Sequence, residues 1–68
     1  MMNVRIEVSQ PQYDISLSIA TRLNQENALN EPTIEELIRT TLRILINEYE
    51  ADPRRVINYY LKRNSLNR

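Results

Sequence analysis

The side chains in this chain that could do chemistry are carboxylates, hydroxyls and a single lysine, because histidine and cysteine are both absent. Their absence removes the usual general base, the thiol nucleophile and the common zinc ligands. Ser16 and Ser18 therefore have no base to activate them. Glycine is absent as well, which excludes the phosphate-cradling P-loop and the dinucleotide fingerprint. Glu35 and Glu36 lie side by side where a helix is expected to begin, so they point to different sides and complement the helix dipole. Glu48, Glu50 and Asp52 form an acidic cluster of the kind that holds a hard cation, although a solvated helix end accounts for it as well. Lys62 has no evident desolvating pocket that would make it a nucleophile. The expectation is a protein with no catalytic residue, no cofactor and no metal.

Charge says more than chemistry does. The nine basic and nine acidic residues cancel, but they are not mixed. Residues 1–52 hold four arginines against all nine acids, a balance of −5, and residues 53–68 hold five basic residues and no acid, a balance of +5. An acidic body with a basic tail calls for an anionic partner, or for docking of the tail on the body. No run of 18 apolar residues exists and the N-terminus lacks a basic-then-apolar leader pattern, so no membrane partner is expected. The lack of cysteine fits a cytoplasmic setting.

The elements that must position these groups follow from periodicity. Residues 33–50 carry the strongest pattern: Ile34, Leu37, Ile38, Thr41, Leu42, Leu45 and Tyr49 recur at three- and four-residue steps, the period of one helical face. Ile44 and Ile46 widen that stripe to roughly 200°, more than one surface helix needs. Thr33 followed by Glu36 has the capping-box spacing, and Pro32 restrains the chain before it. Residues 3–9 alternate strictly, with Val4, Ile6 and Val8 on one side and Asn3, Arg5, Glu7 and Ser9 on the other, which predicts a half-buried strand that Pro11 ends. Residues 12–26 predict a helix, with Ile15, Ile19 and Leu23 stepping by four. The alternation over 13–19 leaves a second strand, and hence a hairpin, open. Asn27 or Asn30 is suited to the left-handed residue that closes this helix. Asp52 and Pro53 restart the chain as N-cap and first helical residue, giving a third helix over 53–63 with Val56, Ile57, Tyr60 and Leu61 on its inner side and a frayed tail at 64–68. All of this makes one domain. At 68 residues it buries a marginal core, and without disulfide or metal the remaining means of support is oligomerisation.

Strand, helix, turn and capped helix in so small a chain resemble the ribbon-helix-helix family of DNA-binding repressors and antitoxins. TIEELIRTTLRILINEY resembles that family's second helix and VRIEVS its ribbon strand, so the likeness covers about residues 3–50. The resemblance implies a mainly α fold with an N-terminal β-strand, intertwined as a homodimer, to which the third helix is an addition. Val4, Ile6, Leu37, Ile38, Leu42 and Leu45 would form the dimer core. Asn3, Arg5 and Glu7 would read bases in the major groove, since guanidinium pairs bidentately with guanine, amide with adenine and carboxylate with cytosine. Thr33 and Ile34, at the start of the second helix, would bind backbone phosphate. Arg54, Arg55 and Lys62 form a basic patch on the third helix, suited to phosphates or to an acidic protein.

The expected function is a small dimeric, sequence-specific transcriptional regulator, repressor- or antitoxin-like, whose partners are itself and double-stranded DNA, with a protein partner at the C-terminal helix as an addition. The competing expectation is a non-catalytic adaptor or inhibitor that uses its apolar helix faces or its basic third helix. The acidic body favours the second and the alternating N-terminal stretch the first.

Overall fold

A computed structural model describes residues 2–66 and contains three helices: α1 (Gln10–Gln25), α2 (Ile34–Ala51) and α3 (Pro53–Leu66). Residues 67 and 68, part of the tail expected to fray, lie outside the described residues, and α3 runs through the rest of that tail to Leu66. The chain divides into two compact units, Met1–Ile38 and Arg39–Arg68, with the boundary inside α2.

The expected N-terminal strand is not there. Among the described residues no strand exists, and residues 2–9 have no regular structure. The mainly α fold with a ribbon strand is therefore corrected to an all-helical one. Two physical causes are visible. A strand is held by its ladder, and no described segment offers the pairing edge that residues 3–9 would need. Ser9, expected on the polar side of that strand, instead caps α1. The Gln12 N–H donates to Ser9 Oγ at 3.3 Å and the Ser9 N–H donates to Gln12 Oε1 at 3.1 Å, the two reciprocal bonds of a capping box. Pro11, in the first turn of α1, gives up an N–H that had no helical acceptor anyway. Val4, Ile6 and Val8, the expected buried side of the strand, are all exposed.

The first unit is built around α1. The stretch that suited strand and helix equally is helical, and no hairpin forms. The helix ends where the chain turns left-handed at Asn27, with φ of 62°. The Ala28 N–H reaches the Leu23 carbonyl at 2.8 Å and the Asn27 N–H reaches the Asn24 carbonyl at 3.1 Å. These are the six-to-one and five-to-two bonds of a Schellman closure, made here by asparagine in a chain without glycine. The following turn is pinned by Asn24, whose side-chain amide donates to the Leu29 carbonyl at 3.0 Å. Among the described residues Ala20 and Leu29 are the two buried hydrophobic ones, with Leu23, Ile34 and Leu37 half-buried. Ile15 and Ile19, expected to share the inner side with Leu23, stay exposed.

The second unit pairs the C-terminal part of α2 with α3. Asp52 is the one residue between them. Its N–H still donates to the Glu48 carbonyl at 2.9 Å, as the last helical bond of α2. Because it precedes proline, it is pushed out of the helical region, and α2 stops. Its carboxylate Oδ1 then accepts the Arg55 N–H at 3.2 Å and caps α3.

Candidate interaction surface

Among the described residues of the second unit none is buried, and Leu45, Val56 and Ile57 are only half-covered. Leu42, Ile44, Ile46, Tyr49, Tyr59, Tyr60 and Leu61 are all exposed, with Leu61 at 64% and Tyr59 at 58%. These side chains arise from two overlapping stripes on α2, the wide apolar face read from the sequence, meeting the 56–57–60–61 stripe of α3.

Two grooves follow the helix pair. The first, of about 500 Å³, is walled by Leu45, Ile46, Tyr49, Val56, Ile57, Tyr60 and Leu61, with Glu50 at its margin. The second, of about 530 Å³, is walled by Thr41, Ile44, Glu48, Arg55 and Tyr59, and shares Leu45, Val56 and Tyr60 with the first. Its polar members are ordered among themselves. Arg55 Nη2 lies 3.5 Å from Glu48 Oε2, an ion pair across the α2–α3 joint between largely exposed side chains, of a kind that contributes roughly 0–1 kcal/mol. The Arg63 guanidinium sits 5.2 Å from the centre of the Tyr59 ring, and the Tyr59 and Tyr60 rings meet edge-on at 6.2 Å. The arrangement can hold an apolar or aromatic segment with charged groups at its rim, and it presents no pair of groups placed for acid–base or nucleophilic work.

The residues singled out in the sequence are scattered between the two units. Asn3, Arg5 and Glu7 lie exposed on the irregular N-terminal stretch, so no β-ribbon presents them together. Thr33 caps α2, its Oγ1 accepting the Glu36 N–H at 3.2 Å, and Ile34 is the first helical residue. Beside them a shallow groove of about 370 Å³ is walled by Tyr13, Leu17, Pro32 and Glu35. A carboxylate there opposes phosphate. Of the expected dimer core, Val4 and Ile6 are exposed at 81% and 61%, Leu37 and Leu45 are half-buried, and Ile38 and Leu42 are exposed. Arg54 and Lys62 are exposed on α3, while Arg55 is held by Glu48. The acidic cluster at 48–52 is not assembled as a cation site: Glu48 pairs with Arg55 and Asp52 caps α3, and among the described residues no group of three or more potential metal ligands comes together.

No protein-family model matches this chain, and no curated protein or solved structure matches it. Its functional reading therefore rests on the surface alone. No helix among the described residues is long and apolar enough to cross a membrane.

Sequence reasoning missed the contacts that order this surface. The Arg63–Tyr59 stacking was available from their four-residue spacing on one helix. The Glu48–Arg55 pair was not, because its seven-residue spacing spans a helix break whose angle no local pattern encodes.

Proposed function

We propose that the chain is a non-catalytic protein-interaction module whose working surface is the exposed face of α2 and α3. The observation that carries this reading is a two-helix unit that keeps regular structure, caps and ion pairing, yet leaves seven large apolar or aromatic side chains exposed and walls two grooves with six of them. Scattered exposed hydrophobics are ordinary; a contiguous set on one helix pair marks an interaction site. Tyrosine and arginine, both well represented here, are the residue types that dominate binding energy in such sites. The reading places the module in the cytoplasm, where a cysteine-free domain forgoes no disulfide.

Photo-crosslinking in the native host tests it. A benzophenone amino acid at Ile46 or Leu61 should yield discrete protein adducts, and the same probe at Arg22 on α1 should not. Absence of adducts from both groove positions would remove this reading.

A second reading, a DNA-binding regulator, is supported by one observation: α3 carries Arg54, Arg55, Lys62 and Arg63 with no acid among its described residues, and Arg54 and Lys62 form no ion pair there. Such a helix would contact phosphate rather than bases. Retention on a duplex-DNA column at low salt, lost steeply as salt rises, is the expected behaviour. Elution with the void at about 50 mM salt would sink it.

A further inference from the structure

We infer that the partner of the α2–α3 face is a second copy of this chain, packed about a two-fold axis. The inference rests on the interaction reading above and adds the identity of the occupant.

The first argument is the make-up of the face. Ile44, Ile46, Tyr49, Tyr60 and Leu61, with Leu42 alongside, are exposed on one helix pair. Large apolar and aromatic side chains without intervening charge are what the core of a homodimer interface is made of.

The second argument is charge. The unit Met1–Ile38 holds two basic and six acidic residues, and the unit Arg39–Arg68 holds seven basic and three acidic. The balances are −4 and +4. A partner for the second unit must therefore be apolar where it meets the grooves and acidic around them. The chain itself carries that combination. A two-fold axis uses each surface twice, so one complementary pairing between copies becomes two. An unrelated partner would have to supply the same complement from outside.

Sedimentation of the purified full chain, followed across a dilution series, tests this. The expected result is a dimer at about 10 µM that dissociates on dilution, with dissociation promoted by salt. Leu61→Asp, at a position already open to solvent, should weaken association at least about tenfold while helicity persists. Lys62→Glu, on the polar side of α3, should weaken it more at low salt than at high salt. Two outcomes would overturn the inference: a folded monomer at all these concentrations, or a dimer that Leu61→Asp and Lys62→Glu leave untouched while helicity is retained. A folded monomer that still gives host adducts from Ile46 or Leu61 would leave the interaction module standing and assign the face to another protein. A dimer whose isotopically labelled copies crosslink to each other through Leu61 supports the two-fold pairing directly.

Discussion

The two units of this chain solve the problem of small size in opposite ways. The first closes on itself. It has a reciprocal capping box at Ser9 and Gln12, a Schellman closure at Asn27, a pinned turn at Asn24 and Leu29, and a small interior of Ala20 and Leu29. The second is equally well formed along its backbone, with Asp52 capping α3 and Glu48 paired to Arg55, but none of its described residues is buried. Local backbone order and tertiary burial are thus separable. Caps and turns decide where helices start and stop, while burial decides whether a unit is sufficient alone, and among the described residues the first unit alone has both.

The contrast breaks most directly at Leu29. Leu29→Ala removes the larger of the two buried side chains and should cost roughly 2–5 kcal/mol, read as loss of helicity in urea. A change below about 0.5 kcal/mol would mean that the first unit has no functional core either. Next is Asn27, the left-handed residue. Asn27→Ala should cost about 1–2 kcal/mol, whereas Asn27→Gly should be neutral or better. Equal effects from the two substitutions would disprove the closure. The caps are the common feature of both units, so Ser9→Ala and Asp52→Ala should each cost about 1 kcal/mol, seen as lowered thermal midpoints.

Much of this was legible in the sequence, and the failures are specific. The α2 stripe, the Thr33 cap and the Asp52–Pro53 restart all announce themselves through residue types at fixed offsets, and the structure uses them as such. The strand over residues 3–9 is where period-two alternation misleads. Alternation says which side would be buried if a pairing edge exists, but not that one does. The competing signal was present in Ser9-Gln10-Pro11-Gln12, a serine with glutamine three residues on and proline between, which is a helix start. Assigning Ser9 to the cap leaves the alternating stretch short of its last polar member. The candidate surface was legible as a stripe too wide for one helix. Its groove walls were not, since they depend on how α2 and α3 meet.

Smaller effects sharpen the comparison further. A double-mutant cycle on Glu48 and Arg55 should give a coupling of about 0.2–1 kcal/mol that fades in high salt. A coupling insensitive to salt would show that the pair is shielded, and the second unit less open than described. Smallest of all is Leu61→Ala measured at high dilution, where an exposed side chain should change stability by less than about 0.5 kcal/mol. A large loss there would place Leu61 in an interior of the single chain.

The joint at Asp52 has one more consequence, and it concerns phase rather than strength. With a single residue between helices, the angular setting of α3 is indexed directly to the end of α2, like two gears on one shaft. Adding a residue to the last turn of α2 would advance that setting by about 100° and 1.5 Å. Tyr60 and Leu61 would then rotate away from Leu45 and Tyr49, and the first groove would lose one wall while every cap and every helix survived. The joint should therefore accept many changes of side chain and no change of length.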